Sequence, residues 1–181
     1  TLVEVIGIPM ILANGIGAAL FLLIVHNVMS DQEKVTALQA QKTLRIANQT
    51  LRFLRKGMNN ATAAAVCHIL YRELQPSAVA FTDKTHIVAH VGIADDHHKE
   101  NSPIQTVETK KVIESGKLSV VNEGTIHCEA KNCPLGAAVI APLIRRGETI
   151  GTMKLSYPSQ KAITDINIEL ISGLSYLLSN Q

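Results

Sequence analysis

The most constraining feature of the sequence is a long apolar run near its start. Residues 5–25 contain no charged side chain, and residues 16–25 are apolar without a break. A bilayer core about 30 Å thick needs roughly 20 such residues in a helix. A signal peptide would have a basic start and a shorter apolar core, and a small soluble protein has few partners to cover a helix that is apolar on all sides. We therefore predict a transmembrane helix over residues 1–29.

The charges that follow this run predict its orientation. Six Lys and Arg residues lie between residues 31 and 56, against two acidic residues. Because Lys and Arg next to a span stay on the cytoplasmic side, we expect an inner (cytoplasmic) membrane protein whose remaining residues are cytoplasmic. A permanent disulfide is not expected in that reducing compartment. The cysteines are therefore candidates for metal binding or redox chemistry. The chain starts at Thr1, which suggests a fragment of a multi-pass protein.

Residues 30–58 form a predicted helical linker. Its small and apolar side chains recur at alternating spacings of three and four: Ala37, Ala40, Leu44, Ala47, Leu51, Leu54 and Met58. This coiled-coil-like pattern is typical of a helix that pairs with another helix, here in a homodimer. A helix that lies on its own domain would give a similar pattern, and both interpretations remain open. A seam rich in Ala is weak, which suits a signalling helix that changes its packing in response to a small input.

Residues 59–181 have the pattern of one α+β domain. Predicted helices cover 61–75, 106–114 and 165–179, and predicted strands cover 77–82, 86–91, 118–121, 137–143 and 149–157. Short hairpins between neighbouring strands predict an antiparallel sheet, with the flanking helices gathered on one face. Cys67 lies on the apolar face of the first of these helices and is predicted to be a small core residue.

Several motifs resemble those of known families. Residues 137–144 (AAVIAPLI) and 147–155 (GETIGTMKL) resemble the last hairpin of GAF domains. Four further segments resemble the LytS-type membrane sensor histidine kinases, which combine a five-span receptor with a GAF domain: 46–51 (IANQTL), 78–83 (AVAFTD), 89–98 (AHVGIADDHH) and 133–136 (CPLG). The resemblance extends over essentially the whole chain.

This resemblance implies a two-component sensor kinase as the parent protein. A multi-span sensor would precede the segment, and a kinase module that uses ATP and phosphorylates a response regulator would follow it. The chain has neither a phospho-acceptor histidine in a dimerisation helix nor a Gly-rich ATP lid, so we expect no catalytic residue in it. Its expected function is to relay a signal through the GAF domain, with a small metabolite as a candidate ligand. A net charge of +2 and 3% aromatic residues give no nucleic-acid surface.

Two predicted loops contain the residues that could carry chemistry. His97 and His98 lie in the first loop, and His127, Cys128 and Cys133 lie in the second. The spacing of the two cysteines is permitted for half of a zinc site, which histidines would complete, although one cysteine pair is a weaker signal than two. Four interpretations of these residues remain open: metal binding, redox chemistry, a small-ligand pocket between the loops and the sheet, and chemically inert loop residues.

A catalytic alternative uses the second loop. Some GAF domains reduce free methionine-R-sulfoxide with a cysteine from this region, and the resemblance places Cys128 in a comparable position. Cys133 would then be the resolving thiol and Glu129 a substrate contact. A membrane tether and a signalling linker have no role in that reaction, so we favour the regulatory function.

Overall fold

The computed structural model describes residues 2–54, 59–123, 126–130 and 132–179 of the 181-residue chain. In chain order the elements are α1 (Leu2–Leu54), α2 (Asn60–Leu74), β1 (Ala78–Thr82), β2 (Ile87–Gly92), α3 (Val107–Ser115), β3 (Ser119–Val121), β4 (Ala137–Arg145), β5 (Glu148–Tyr157), a short 3-10 helix (Gln160–Ala162) and α4 (Asp165–Ser179). The chain divides into two compact units, Thr1–Leu44 and Arg45–Gln181.

The first unit is the part of α1 that ends at Leu44. Helix α1 is continuous over 53 residues, so the described parts of the predicted span and linker form one helix. Its large apolar side chains between residues 16 and 24 are more than half exposed. Within the residues that the structure describes, no helix is long and apolar enough to cross a membrane. This finding differs from the transmembrane helix predicted over residues 1–29.

The end of α1 belongs to the second unit, because its inner face is part of the domain core. Ile46 and Thr50 are buried, with exposed fractions of 0% and 1%. The Arg45 guanidinium donates to the Glu73 carboxylate of α2 at 2.6 Å. Of the two interpretations of the linker, the helix lying on its own domain describes this part of α1. The compact unit therefore begins at Arg45, whereas the sequence places the domain boundary at residue 59.

Where the structure describes its side chains, the predicted pairing stripe does not coincide with the buried face of this part of α1. Leu44, a member of the stripe, is 63% exposed, and Ala47 is only partly buried against the core. Other members lie outside the described part of the structure, namely Met58 and the side chains of Ala37, Leu51 and Leu54. Dimerisation through residues 30–58 stays a prediction.

Helix α2 begins and ends at signals that are visible in the sequence. The Asn59 side chain accepts a hydrogen bond from the Thr62 backbone N–H, and the Thr62 hydroxyl accepts one from the Asn59 N–H, which forms a capping box. The helix is closed by Gln75 in the left-handed region, directly before Pro76. Cys67 has an exposed fraction of 0%, as its position on the apolar face predicts.

The five strands form one antiparallel sheet in the order β2-β1-β5-β4-β3. The two predicted hairpins, β1–β2 and β4–β5, are confirmed. The turn between β4 and β5 places Arg146 and Gly147 at positive φ, 54° and 83°. Glycine adopts this conformation without the steric penalty that a side chain brings.

Alternating residues along the strands separate two cores. Val139 and Ala141 of β4 face the larger core, which the end of α1, α2 and α4 cover. Ala138 and Ile140 face the smaller core, which Val112 of α3 and the loops cover. The expectation that all helices lie on one face is therefore wrong for α3, because this short helix packs on the face that the loops also cover.

Candidate functional site

The two predicted site loops lie side by side on the face of the sheet covered by α3. The first follows β2, and the second joins β3 to β4. The Glu129 N–H donates to the Gln105 carbonyl at 2.9 Å, and the Val107 N–H donates to the His127 carbonyl at 3.3 Å. Thr106 and Cys128 form an isolated antiparallel bridge between these segments. Backbone hydrogen bonds therefore hold the loops together without any ligand.

Four side chains from these loops form a cluster, which we call the Cys–His cluster: His97, His98, Cys128 and Cys133. Their ligating atoms all lie within 4.8 Å of one another. The Sγ atoms of Cys128 and Cys133 are each 3.7 Å from the Nε2 atom of His98. The rings of His97 and His98 are 4.4 Å apart between centroids. The structure thus brings together four of the five residues that the sequence predicts.

His127, the fifth predicted residue, is outside the cluster. Its side chain is exposed and its φ is 45°. Cys128 pairs with Thr106 in a bridge, and its side chain is partly buried. Glu129, on the other side of Cys128, is also exposed, and its carboxylate accepts a hydrogen bond from Lys110 at 2.7 Å. The loop therefore directs Cys128 inward and His127 outward.

His97 is held by a carboxylate. Its Nδ1 atom donates to the Oδ1 atom of Asp96 at 2.7 Å, and this hydrogen bond lowers the pKa of Asp96. With the proton on Nδ1, the Nε2 atom of His97 carries the free lone pair. That Nε2 atom is buried and has no hydrogen-bond partner among the described residues.

The floor of the cluster is the sheet itself. His90 of β2 pairs with Ala80 of β1, which pairs with Lys154 of β5, so these three side chains share one row on one face. The rings of His90 and His98 stack with their centroids 5.5 Å apart. Lys154 is 4% exposed. Burial lowers the pKa of Lys154 to about 8, while the nearby thiols of Cys128 and Cys133 act to raise it.

Burial and neighbouring charges shift the protonation equilibria of residues in the cluster. Burial lowers the pKa of His98 to about 3, and the nearby charge of Lys154 contributes to this shift. His98 is therefore neutral at pH 7 and has a lone pair to donate. Burial raises the pKa of Cys128, and the adjacent Cys133 raises it further. The Cys128 thiol is accordingly protonated until a cation replaces its proton.

This arrangement offers two sulfur and two nitrogen donors around one point. Neutral imidazoles and thiols at this separation suit a thiophilic cation, and two neighbouring thiols also permit oxidation to a disulfide. Zinc, which the cysteine spacing suggests, would be held by His97, His98, Cys128 and Cys133, and not by His127.

Sequence reasoning missed the residues that surround the cluster. Asp96 lies in the segment 89–98 that resembles LytS-type proteins, but the sequence alone did not indicate a role for it at the site. His90 and Lys154 lie on strands, and their proximity depends on the pairing of β1 with β2 and β5. The sequence contains a signal for Lys154, because a Lys flanked by apolar residues in the predicted strand 149–157 is unusual for a central strand.

Two cavities of the domain lie away from the cluster. One has a volume of about 550 Å³ and lies between β4 and α4, where Pro142 and Ser175 line it. The other, of about 470 Å³, lies beside Gly116 and Glu148. Neither is lined by a predicted site residue, so a small ligand at the two loops stays a prediction.

The family model of the GAF domain matches residues 11–181. The chain belongs to the GAF domain family. A solved structure similar to it is the GAF domain of A. aeolicus nlh2 in an inactive state, with a TM-score of 0.61, 17% identity, and coverage of 78% of this chain and 95% of that one. The type II free methionine-R-sulfoxide reductase from Thermoplasma acidophilum aligns with a TM-score of 0.55 and 16% identity, over 66% of this chain and 89% of that one. At these identities the structures show the fold alone, and they confirm the predicted GAF-like α+β class.

Curated relatives extend the similarity to the whole GAF-containing chain. The sensor protein LytS of Bacillus subtilis (strain 168) is 40% identical over 99% of this chain and 30% of its own length. The sensor histidine kinase/phosphatase LytS of Staphylococcus aureus (strain Mu50) is 35% identical over 99% of this chain and 31% of its own length. The predicted resemblance to LytS-type proteins is confirmed, and the chain spans about a third of these relatives.

Proposed function

We propose that this chain is the regulatory GAF segment of a two-component sensor histidine kinase and that it relays a signal between its first and last helices. The similarity to LytS proteins carries this proposal, because it covers α1 as well as the GAF domain. The kinase activity, with ATP as its substrate, belongs to other parts of the parent protein. A cognate response regulator and a second copy of the chain are the proposed partners.

The shared core of the helices supports a relay role. Ile46 near the end of α1 and Ile171 and Leu174 of α4 belong to the same cluster of buried side chains, together with residues of α2. Protein interiors are close-packed, so a change in the position of one buried side chain is felt by its neighbours. A shift or rotation of α1 would therefore alter the packing around α4.

The charges and exposed apolar surface of α1 support a membrane location for the parent protein. The side chains of residues 16–24 leave a long apolar surface exposed, which requires a cover of lipid or of other helices. The basic residues that follow favour the cytoplasmic side of an inner membrane. Fractionation of cells that express the full-length protein tests this location: recovery with the membranes is expected, and recovery in the soluble fraction would contradict it.

The kinase proposal is tested with the full-length protein and radiolabelled ATP. We expect acid-labile phosphate on the protein and its transfer to the response regulator. Ile46→Val costs about 0.5–1.5 kcal/mol, which leaves a domain of ordinary stability folded. We expect this variant to change the phosphorylation rate, whereas Asn48→Ala, at an exposed site of α1 outside the predicted pairing stripe, should not.

Two results would contradict the two parts of this proposal. A full-length protein that never acquires phosphate would reject the kinase assignment. An Ile46→Val protein that is phosphorylated at the wild-type rate under every stimulus would reject the relay through the core.

A GAF-type thiol reductase that uses Cys128 is the second candidate function. The proximity of Cys133 to Cys128 favours it, since a resolving thiol must lie close to the reacting one. The raised pKa of Cys128 weighs against it, because the thiolate is the nucleophilic form. Turnover of free methionine-R-sulfoxide that is lost in Cys128→Ser would establish the reductase, and absence of turnover would reject it.

A further inference from the structure

The Cys–His cluster has the donor set of a tetrahedral metal site. His97 and His98 come from the loop after β2, and Cys128 and Cys133 come from the loop before β4. Two sulfur and two nitrogen donors are a common set for zinc in proteins. The four atoms lie within 4.8 Å of one another, so small movements of the side chains would let one ion contact all of them.

Two distances within the cluster match edges of a zinc tetrahedron. With Zn–S bonds of about 2.3 Å and Zn–N bonds of about 2.0–2.1 Å, a sulfur and a nitrogen ligand lie about 3.6 Å apart. Both Sγ atoms are 3.7 Å from the Nε2 atom of His98. One hydrogen bond would draw only one thiol to this nitrogen, since a ring nitrogen has a single proton or lone pair to share. Equal distances to both sulfurs indicate a common centre.

The surroundings of His97 independently indicate a metal ligand. Histidine ligands of metals usually donate their second ring N–H to a carboxylate or carbonyl, which fixes the tautomer and orients the ring. Asp96 accepts this hydrogen bond at 2.7 Å, while the Nε2 atom of His97 is buried without a partner among the described residues. An orphaned buried acceptor costs free energy unless a ligand occupies it.

The site is preorganised by the fold. The backbone bridge between Thr106 and Cys128 and the hydrogen bond from the His98 N–H to the Ala94 carbonyl hold the two loops in place. Below the cluster, Lys154 contributes a buried positive charge that interacts with both thiols. Two thiolates neutralise a divalent ion, so the attraction of Lys154 to the two sulfurs offsets its repulsion from that ion.

We propose that His97, His98, Cys128 and Cys133 bind one Zn²⁺ ion that joins the two loops on the α3 face of the GAF domain. Each cysteine releases its proton to solvent on binding, and no electron is transferred. The inference goes beyond the proposed regulatory function, because it concerns metal binding by this chain and holds whether or not the parent is a kinase.

The test uses the reduced chain, freed of metal by a chelator and titrated with Co²⁺. Tetrahedral binding predicts one Co²⁺ per chain, with thiolate-to-cobalt charge-transfer absorption and intense visible bands, which one equivalent of Zn²⁺ abolishes. Cys128→Ser, Cys133→Ser and His98→Ala should each lose the charge-transfer intensity or the stoichiometric binding. His127→Ala should retain wild-type spectra, since this neighbour of Cys128 points away from the cluster.

A finer test distinguishes metal ligation from a merely structural role. Asp96→Asn removes the carboxylate that orients His97, and we expect zinc affinity to fall by about 10–100-fold, the usual effect of losing such a partner. Asp95→Asn, at the adjacent exposed carboxylate, should leave the affinity within error of wild type. Circular dichroism checks that both variants are folded.

Thiol alkylation gives a readout in the wild-type chain, which avoids folding defects. Zn²⁺ should protect Cys128 and Cys133 from alkylation, as measured by mass spectrometry. The proposal is overturned if the reduced wild-type chain binds no stoichiometric Zn²⁺ or Co²⁺. It is also overturned if His127→Ala weakens binding as much as His98→Ala does.

Discussion

The three described thiols occupy two kinds of surroundings. Cys67 is fully buried in α2, and burial raises its pKa to about 12. Cys128 and Cys133 are partly buried beside His98. Helical spacing alone predicted the first environment, because the position of Cys67 on the apolar face is a local property of the sequence.

The burial of Cys67 predicts a loss of stability at alkaline pH. Its pKa is about 12 in the folded chain and near 9.0 when exposed, so between these values the unfolded state has lost a proton that the folded state retains. The free energy of unfolding then falls with pH, by up to about 1.4 kcal/mol per unit above pH 9. In urea titrations from pH 7 to 10.5, Cys67→Ala should show a shallower decline.

Other titratable groups do not affect the comparison between wild type and Cys67→Ala. Tyr157 and Cys128 also have raised pKa values, but they are present in both proteins and contribute equally to both curves. Parallel stability curves for wild type and Cys67→Ala above pH 9 would contradict the prediction.

The residues of the Cys–His cluster could be predicted from sequence, but their arrangement could not. Residue type and loop position identified His97, His98, Cys128 and Cys133. The exclusion of His127 depends on the bridge between Thr106 and Cys128, which joins segments distant in sequence. The position of Lys154 beneath the cluster was not predictable for the same reason, since strand register is a property of the folded sheet.

At the scale of elements, local patterns predicted most strands and helices. The hairpins and α4 follow from apolar periodicity and turn residues, which act over a few positions. The packing of the end of α1 into the core of the domain was not predicted. Ile46 and Thr50 form the buried face of its last turns, but several apolar stripes are compatible with the same stretch of sequence.

Gly92, at the end of β2, is an element-scale test of how the first site loop is positioned. Its φ is 120°, and an added Cβ would lie 2.3 Å from the Ser77 carbonyl oxygen and 2.6 Å from the Ala78 Cα. Strain of this kind costs of order 1–3 kcal/mol per residue. We expect Gly92→Ala to lower the free energy of unfolding by at least about this amount in urea denaturation.

Gly173 provides the matched control for Gly92→Ala. It lies in α4, and an added Cβ would have nothing within 4 Å. Alanine is favoured over glycine inside a helix by roughly 0.5–1 kcal/mol, so Gly173→Ala should stabilise the chain. Equal effects of the two substitutions would show that the backbone at Gly92 is not constrained as described.

At the scale of the GAF domain, the sheet separates two layers with different proposed roles. The end of α1, α2 and α4 share the larger core, and α3 and the site loops share the smaller one. This division was only partly predictable, because the sequence indicates which residues are buried but not which face of the sheet buries them. The relay and the metal site are therefore expected to respond to different substitutions.

The central claim, that α1 and α4 communicate through one core, is tested most directly by hydrogen–deuterium exchange. Ile46→Val perturbs the larger core and Ile140→Val the smaller one, each at a fully buried site. We predict that Ile46→Val accelerates amide exchange in α4 more than in α3 and that Ile140→Val does the reverse. Two results would contradict the account: amide exchange in α4 of Ile46→Val at the wild-type rate, or equal acceleration of exchange in both helices by both variants.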